Sequence, residues 1–405
     1  MPPTGPRSED ECPPCGGITH PVELVRLTGM SKRIVVFGAT GYTGELTARE
    51  LVALGERPVL AGRRREALDE LAAELGGLEV AVADVERQAS IHALVEAGDV
   101  LISTVGPFNR WGGPAVRAAT EAGAVYLDTN GESGFIAEVF EQHGLLARRT
   151  GAALIPSFGY DFVPGNLAGA LAMEDTGHKA ARIDLAYYLG KGAYLPWTMS
   201  SGTRATVAGA LVENTYGYRH GRIVKERGAR RVRKFDVDGR LRPGVSIGTL
   251  EQYTVPRLFP TVQEVTTYLG WFGSLSRFLQ CASAVNAPLL AVPPMRRAAR
   301  AAVRRWVKGS IGGPSTSTLD ATESRFVAEA YDDRGRRLAQ RQFRGPDGYR
   351  FTARLIARAA QVAMSSGVHD TGALGPIEAF GIDAIRTMCG ESGLVPVESP
   401  VWAVS

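Results

Sequence analysis

The feature that most constrains the fold is a glycine-rich turn that directly follows a short apolar run. Residues 34–37 read Ile-Val-Val-Phe, and the next seven residues place glycine at positions 38, 41 and 44. The β-branched run predicts a buried parallel strand, and the glycines predict a turn into a helix that begins near Glu45. Such a turn lets the backbone approach a pyrophosphate at the positive end of the helix. Because the glycines stand between strand and helix, we predict a dinucleotide site.

The end of the second predicted strand indicates which dinucleotide is bound. Residues 58–62 end about 20 residues after the glycines, where a site for NAD usually carries an acid for the ribose 2′-hydroxyl. Here Arg63, Arg64 and Arg65 follow instead. A guanidinium can bind a 2′-phosphate through paired, charge-assisted hydrogen bonds. Cations at a helix N-terminus oppose the helix dipole unless an anion lies beside them. The pattern therefore favours a site for the 2′-phosphate of NADPH over the alternative, in which the arginines are only solvated at the start of a helix.

Strands and helices alternate from residue 31 to residue 159, which predicts a doubly wound parallel sheet of the Rossmann type. After the first two strands, further strands are expected at 78–85, 99–105, 124–128 and 152–158, with helices at 65–76, 88–97, 114–122 and 133–149. Ligands of such sheets lie beyond the carboxyl ends of the strands. The cofactor contacts predicted on this basis are Gly38, Thr40, Gly41, Tyr42, Thr43, Gly44, Arg63, Arg64, Asp84 and Val85.

The pattern changes after Pro164. A short helix at 165–174 and a strand at 182–189 precede a helix near 202–213. Residues 218–254 alternate charged and β-branched residues, as antiparallel strands with one wet face would. Strands at 323–332 and 338–344 and a helix at 352–365 follow. We therefore expect a second α/β domain with a largely antiparallel or mixed sheet.

Composition narrows the class of protein. The 405 residues carry a net charge of +4, which gives no case for nucleic-acid binding, and 44% of them are hydrophobic. The sequence lacks a secretory leader pattern and a run of about 20 apolar residues, and its four cysteines suggest no disulfide framework, so a cytoplasmic location is expected. Cys12, Cys15 and His20 look like half a zinc site, but a second ligand pair is missing nearby, and no metal site is predicted.

Several segments resemble a known family, the saccharopine dehydrogenase-like reductases. They are Gly38 to Gly44, Val105-Gly-Pro-Phe108, Tyr126-Leu-Asp128, Gly131-Glu132 and Gly159-Tyr-Asp161. Later segments resemble its trans-acting enoyl reductase branch: Ser200-Ser-Gly-Thr203, Asp347-Gly-Tyr349 and the stretch from Gly372 to Gly381. The resemblance extends over roughly residues 32–390.

The resemblance implies a domain organisation and a cofactor. Residues 31–160 would form the NADP-binding Rossmann domain, and residues 161–365 a domain for substrate and homodimer contacts. Residues 366–405 would return to the Rossmann domain. Independently of the resemblance, residues 1–30 are predicted to form a disordered tail, because they are rich in Pro, Gly and polar residues without a periodic pattern. The cofactor would be NADPH, with Val105, Gly106 and Pro107 in the loop that passes under its nicotinamide ribose. Reactions in the family range from imine reduction to reduction of enoyl thioesters on polyketide or lipid intermediates.

The loops at the strand ends carry the catalytic candidates Tyr160, Asp161 and Glu132. Tyr160 is the favoured proton donor, because a phenol can stabilise an enolate oxygen and protonate a nearby carbon; the alternative is an aromatic ring packed at the domain seam. Asp161 either orients Tyr160 or serves a turn. Glu132, like Asp128, acts as an acid or base, or caps the helix that starts near Ser133.

Three later segments bear on substrate and partners. Arg204, beside Ser200, Ser201 and Thr203, either binds an acyl or phosphopantetheine group or lies at a solvated helix start. Apolar residues at helical spacing in 268–279 predict a core face, with an acyl pocket or membrane-facing patch as the alternative. In 296–308, arginines and Lys308 occupy one half of a helical wheel. These basic residues form either a solvated face or a binding surface. The partner of such a surface would be an acyl carrier protein or the anionic surface of a membrane, to which the protein would attach peripherally.

The leading hypothesis is an NADPH-dependent reductase that acts in trans on an enoyl thioester, small or carrier-bound. The alternative enzyme is a saccharopine-type imine or carbonyl reductase. A protein of another class, a non-catalytic NADPH-binding sensor or interaction protein, also uses this fold. A reductase would oxidise NADPH with a substrate, whereas a sensor would only bind it.

The first prediction concerns the N-terminus. Deleting residues 1–29 should leave the melting temperature and the NADPH affinity unchanged, because no core contact is expected from a segment without a periodic apolar pattern. Thermal melting and titration calorimetry on both chains would measure this. A clear drop in either quantity would mean that the segment docks, and would revive the Cys12 and Cys15 site.

Overall fold

The computed structural model of the protein describes residues 32–190, 214–292, 294–295, 297–298, 301 and 312–397. Three sequence predictions therefore concern residues outside the described parts. These are the tail at 1–30, the helix near 202–213 with Ser200, Ser201, Thr203 and Arg204, and most of the basic segment 296–308.

The described strands form two sheets. In chain order they are Ile34–Phe37 (β1), Val59–Gly62 (β2), Val80–Val82 (β3), Val100–Ser103 (β4), Val125–Asp128 (β5), Ala153–Ile155 (β6), Arg182–Leu189 (β7), Asn214–Arg219 (β8), Arg222–Arg227 (β9), Val232–Val237 (β10), Arg240–Ile247 (β11), Glu264–Leu269 (β12), Ser324–Tyr331 (β13), Arg337–Gly345 (β14), Gly372–Ala373 (β15) and Val395–Val397 (β16).

The described α-helices are Tyr42–Ala53 (α1), Arg65–Glu74 (α2), Gln88–His92 (α3), Phe108–Trp111 (α4), Gly113–Ala122 (α5), Ser133–Glu138 (α6), Gly144–Thr150 (α7), Val163–Asp175 (α8), Glu251–Leu258 (α9), Ser276–Ala291 (α10), Thr316–Ala321 (α11), Gly348–Ser366 (α12), Pro376–Phe380 (α13) and Ile382–Glu391 (α14). None of the helices in the described ranges has the length and apolar composition needed to cross a bilayer.

The first sheet is parallel, with strand order β15-β6-β5-β4-β1-β2-β3 among the described residues. Its central strands β1 and β4 are buried at every position, as expected where helices cover both faces of a sheet. The order reverses direction between β1 and β4, which stay paired to their carboxyl ends. In sheets of this kind the connections after the two strands run to opposite faces, and ligands bind in the crevice between those connections. The predicted Rossmann architecture is confirmed.

The second sheet is mixed, which confirms the predicted fold class. Its order is β10-β11-β12-β7-β13-β14-β16 in the described ranges, with β8 and β9 branching from β12. Strands β7 and β12 are parallel, whereas the other pairs are antiparallel. Helix α8 lies under this sheet, and residues 163–173 of it are all buried, since the sheet and the C-terminal helices cover it from several sides.

Three sequence predictions about local structure are wrong. Residues 268–279 do not form one helical face: Tyr268 ends β12, a short 3₁₀ turn spans Gly273–Leu275, and α10 begins only at Ser276. Residues 251–254 belong to α9 rather than to an antiparallel strand. The helix expected at 133–149 is interrupted by a wider π-helical turn at Val139–His143.

The chain after residue 347 contributes a strand to each of the two sheets and a helix that packs against α1. Helix α12 packs against α1, and Arg354 and Gln361 reach Glu50 and Glu56 on or just after that helix. Strand β15 extends the first sheet beside β6, whereas β16 pairs with β14 in the second. Contacts of this C-terminal region therefore hold the two sheets together.

Glycine at position 44 is required by the packing of α1. A Cβ atom there would overlap the carbonyl oxygen of Gly38, which also accepts hydrogen bonds from Gly41 N at 2.9 Å and from Thr104 Oγ1 at 3.2 Å. The helix can approach the turn this closely only without a side chain at Gly44. The turn and the start of the helix are thus one packed unit.

We predict that Gly44→Ala lowers stability by about 1–3 kcal/mol, the usual range for overpacking, and weakens NADPH binding. The matched control is Gly390→Ala, because Gly390 is exposed in α14 and has open space where its Cβ would stand. That control should melt at the same temperature or slightly higher, since alanine favours the helix. Melting curves and calorimetry would measure both; a Gly44→Ala variant that behaves like the parent would contradict the packing argument.

Candidate functional site

A cavity of about 670 Å³ opens at the carboxyl ends of the strands in the first sheet. It continues to the carboxyl ends of β7 and β12, where the second sheet contributes Leu189 and Trp271. Most of the predicted site residues line it: Gly38, Thr40, Gly41, Tyr42, Thr43, Arg63, Arg64, Asp84, Val85, Val105, Gly106, Glu132, Tyr160 and Asp161. The structure thus places the predicted cofactor contacts and the predicted catalytic residues around one cavity.

The glycine turn forms one end of the cavity. Helix α1 begins at Tyr42, and its N-cap residue Gly41 provides no side-chain hydrogen bond. The first N–H groups of a helix have no partner within the helix, and its N-terminus carries partial positive charge. Gly38 has a φ of +92°, which favours glycine at this position. This end therefore offers backbone donors to a pyrophosphate.

Arg63 and Arg64 lie just beyond β2 and are exposed. Neither forms an ion pair with another described residue. Arg65, by contrast, is paired with Asp69 at 2.8 Å, one turn along α2. Two uncompensated guanidinium groups beside the cavity, with no acid in the place of the ribose contact, fit an anionic group such as a 2′-phosphate.

Other predicted cofactor residues have specific local roles. The Tyr42 hydroxyl donates to the carbonyl of Pro314 at 2.7 Å, and burial raises the pKa of Tyr42 to about 12. The carboxylate of Asp84 accepts from the backbone N–H of Glu86 at 3.0 Å. Pro107 does not line the cavity and precedes α4 as its N-cap residue. Gly44 lies behind the turn, and its contribution is the close packing of α1.

Asp128, at the end of β5, connects two loops of the site. Its Oδ1 accepts hydrogen bonds from the backbone N–H groups of Asn130 at 2.9 Å and of Ser157 at 2.7 Å. The side chain is completely buried, and this burial raises the pKa of its carboxyl to about 7. The structure does not support the predicted cap on the helix near Ser133, because Asp128 instead fixes the backbone that leads to Tyr160.

Glu132 caps a helix, although not the predicted one. Its Oε1 accepts from the N–H of Phe108 at 2.7 Å, and its Oε2 accepts from the N–H of Asn109 at 3.1 Å. These groups belong to the first turn of α4, which a carboxylate stabilises through both hydrogen bonding and the helix dipole. The expected cap on α6 is wrong, since Glu132 makes no side-chain cap there. The contact ties the loop after β5 to the Gly106-Pro107 loop after β4.

Tyr160 stands at the far end of the cavity and is 6% exposed. Its backbone N–H donates to Thr352 Oγ1 at 3.0 Å, and its ring packs near those of Phe326 and Tyr187, with centroids 5.2 Å and 5.9 Å away. Burial raises the pKa of its phenol well above the usual value. The hydroxyl oxygen has no hydrogen-bond partner within the described residues. Tyr160 therefore packs at the seam, as one alternative predicted, and it also lines the cavity, so its catalytic role stays a prediction.

Asp161 follows directly and lines the same end. Its carboxyl has no hydrogen bond or ion pair with any other described residue. Burial raises its pKa to about 7, so a large fraction of the groups carries a proton at neutral pH. An acid of this kind in a cavity can give and regain a proton near physiological pH.

Sequence reasoning missed several residues that complete the cavity. These include Trp111, Thr129, Leu189, Trp271, Tyr349 and Thr352. Trp271 had been interpreted as part of a helical core face, and Tyr349 was noticed only as part of a family motif. The missing information is long-range, because α12 and the ends of β7 and β12 come close to the first sheet only in the folded chain. Among the described residues, no group of three or more His, Cys, Asp or Glu side chains could hold a metal ion.

Comparison with known proteins agrees with this geometry. Residues 34–149 match the family model of the saccharopine dehydrogenase NADP binding domain. The chain is 39% identical over 141 residues to a trans-acting enoyl reductase of Mycobacterium leprae (strain TN), and 36% identical over 140 residues to one of Mycobacterium tuberculosis (strain ATCC 25618 / H37Rv). Each match covers 33% of this chain and 34% of the relative, so the chain matches only about a third of the length of these relatives.

The fold has a counterpart of similar extent among solved structures. Apo saccharopine dehydrogenase (L-Glu forming) from Saccharomyces cerevisiae superposes with a TM-score of 0.54 at 12% identity, covering 91% of this chain and 100% of that chain. At this identity the likeness concerns the fold alone. The predicted resemblance and the predicted cofactor NADPH are confirmed: residues 34–149 are similar to the NADP-binding domain of saccharopine dehydrogenases, and the two-domain α/β fold is like that of saccharopine dehydrogenase.

Proposed function

We propose that this protein is an NADPH-dependent oxidoreductase that reduces the carbon–carbon double bond of an enoyl thioester, acting in trans on a polyketide or lipid intermediate. The names of the matched relatives support the reaction class. The observation that carries the proposal is that Tyr160 and Asp161 both line the far end of the cofactor cavity. One supplies a neutral hydrogen-bond donor and the other an acid with a pKa near neutrality.

The reaction needs two things from the protein. As hydride reaches the β carbon, negative charge develops on the thioester oxygen, and this charge requires a hydrogen-bond donor. The α carbon then requires a proton, which completes the saturated thioester. Bound NADPH would supply the hydride. The glycine turn and the helix α1 N-terminus would bind its pyrophosphate, while Arg63 and Arg64 would bind its 2′-phosphate.

The structure favours a different division of roles from the one predicted by sequence, in which Tyr160 was the proton donor. A buried phenol whose pKa is well above its usual value gives up its proton poorly, yet it remains a good hydrogen-bond donor. Asp161, with a pKa of about 7, is better matched to proton transfer. We therefore assign the oxyanion contact to Tyr160 and the protonation of the α carbon to Asp161.

Glu132 would be a positioning residue in this scheme. Both of its carboxylate oxygens accept hydrogen bonds from the backbone of α4. The contact would hold Val105 and Gly106 in place at the nicotinamide end of the cavity. The earlier suggestion that it acts as an acid or base has less support, because a proton on either oxygen would disturb one of these bonds.

The partner would be an acyl carrier protein, with an anionic membrane surface as the alternative. Leu275, just before α10, and Phe278, in its first turn, are 60% and 68% exposed, although both were expected in a core face. Of the basic residues in 296–308, Arg297 is described and is exposed. Exposed apolar residues near a basic segment suit an acidic carrier that presents an acyl chain. A homodimer and a cytoplasmic location remain part of the proposal.

Two other functions make different predictions. A saccharopine-type imine reductase acts on a cationic carbon–nitrogen centre, which would benefit from an ionised carboxylate, and Asp161 is the residue that could provide one. A sensor would bind NADPH without oxidising it. The aromatic wall around Tyr160 favours the enoyl thioester, whose acyl chain is apolar.

The proposed reaction predicts a pH dependence. NADPH oxidation with trans-2-octenoyl-pantetheine should be fastest below pH 7 and should fall as the pH rises through about 7, because Asp161 then loses the proton that it transfers. Asp161→Asn should lower turnover by about 10²–10⁴-fold, the usual contribution of general acid catalysis, and should remove this limb of the profile. Tyr160→Phe should lower turnover but leave the limb in place. Stopped-flow measurement of NADPH absorbance would follow all three proteins.

Controls separate chemistry from binding. NADPH affinity should be the same in all three proteins, since neither residue lies at the phosphate end. Turnover with mixtures of keto acids and amines but not with thioesters would overturn the assignment in favour of imine reduction. Binding of NADPH without oxidation by either class of substrate would favour the sensor.

The arginine assignment predicts cofactor selectivity. The double variant Arg63→Ala/Arg64→Ala should bind NADPH roughly ten- to a hundredfold more weakly, because a charge-assisted contact contributes about 1.5–3 kcal/mol. NADH affinity should hardly change, since NADH lacks the 2′-phosphate. Arg65→Ala is the matched control, because Arg65 is already paired with Asp69. Equal losses for both cofactors in titration calorimetry would argue against a 2′-phosphate site.

A further inference from the structure

Two buried hydrogen-bond donors meet at the far end of the cavity without partners. The hydroxyl of Tyr160 and the indole Nε1 of Trp271 are both inaccessible to solvent. The indole lies close enough to the phenol to lower its pKa somewhat, yet neither group completes a hydrogen bond of ordinary geometry with the described residues. Both side chains line the cavity, and their ring centroids are 6.2 Å apart in a tilted arrangement. Most buried polar groups in folded proteins are paired, so two unpaired donors on one wall suggest a ligand that pairs with them.

The fold places Trp271 there. Strand β12 ends at Leu269, and Gly270 N donates to the carbonyl of Tyr187 at 2.8 Å, which continues the register with β7. A Cβ on Gly270 would overlap the ring of Tyr188, so glycine is needed for the chain to turn at this point. Leu189, at the end of the parallel strand β7, lines the cavity beside Trp271. The position of Trp271 at this end of the cavity is therefore a consequence of strand pairing.

The chemistry of the two groups restricts what can bind between them. An indole N–H is a donor only, and the phenol of Tyr160 can donate as well. The surroundings are aromatic, with Phe326 and Tyr187 next to the Tyr160 ring. Donors in such a weakly polar setting interact strongly with a ligand oxygen that carries negative charge. A carbonyl oxygen satisfies both donors, whereas a protonated imine nitrogen presents a further donor and a positive charge.

We propose that Trp271 is a further catalytic residue, and that its Nε1–H and the Tyr160 hydroxyl together bind one carbonyl oxygen of the substrate. This rests on the proposed function for the identity of that oxygen, which would belong to the thioester. The pair stabilises the oxygen as it gains charge while hydride adds to the β carbon, and Asp161 then protonates the α carbon. Two donors in place of one explain a preference for thioesters over imines at this end of the cavity.

The test separates the N–H group from the bulk of the ring. Trp271→Phe removes both, whereas site-specific replacement of Trp271 by 3-benzothienylalanine keeps the bicyclic ring and puts sulfur in place of N–H. With trans-2-octenoyl-pantetheine, both variants should lose about 10²–10³-fold in kcat, the usual effect of one oxyanion donor, with KM changed little. NADPH affinity should stay the same in both, which shows that the cavity is still folded.

A binding measurement makes the outcome independent of turnover. Octanoyl-pantetheine, the saturated thioester, presents the same carbonyl oxygen and should bind the NADP⁺ complex more weakly in the benzothienyl variant than in the parent. If the parent binds this thioester but reduces no enoyl thioester, the proposed reaction fails, and weaker binding by the variant still supports the donor pair. If the benzothienyl variant keeps both full turnover and full affinity, the role of Trp271 is overturned. A parent that neither binds nor reduces thioesters would overturn both proposals.

Discussion

The buried carboxyl group of Asp128 is the contact on which the arrangement of the site depends. It lies at the end of β5 and accepts hydrogen bonds from the backbone of Asn130 and of Ser157. Each such hydrogen bond contributes about 0.5–1.5 kcal/mol to a neutral acceptor and about 1.5–3 kcal/mol to a charged one, so the two fix the start of both loops. The first loop leads to Glu132, which caps α4, and the second leads to Tyr160 and Asp161. The same carboxyl group thus sets the position of both sides of the cavity.

The cavity has two parts that arise in different ways. The cofactor end is built from the turns that follow successive strands of one sheet, and the local sequence specifies each of them. The far end, at Tyr160 and Trp271, needs the junction between the sheets. There α8 is buried under the second sheet, α12 supplies Thr352 to the backbone of Tyr160, and the ends of β7 and β12 supply Leu189 and Trp271. A change of substrate within such a fold would therefore require changes in several distant segments, whereas the cofactor end could stay the same.

The failures of sequence reasoning have a common cause. The spacing of apolar residues in 268–279 suits a helix, but Tyr268 pairs in register with Ser246 and Ala186 in the second sheet, and the strand pairing overrides the helical pattern. Glu132 was expected to cap the helix beside it in sequence, yet the first turn of α4 lies within reach of its carboxylate across the sheet edge. In both cases the competing partner is distant in sequence, and periodicity or capping rules consider only neighbours along the chain.

The sequence by itself determined the Rossmann half of this protein and its cofactor. The run from Ile34 to Gly44 encodes strand, turn and helix together, and the arginines after β2 stand where an acid would favour NADH. Both signals are local because each concerns a single turn of the chain. Only the tertiary structure decided the raised pKa of Asp161, the burial of the Tyr160 hydroxyl, and the presence of Trp271 beside it. These properties depend on desolvation by elements that are far apart in the chain, and no residue pattern within one segment records them.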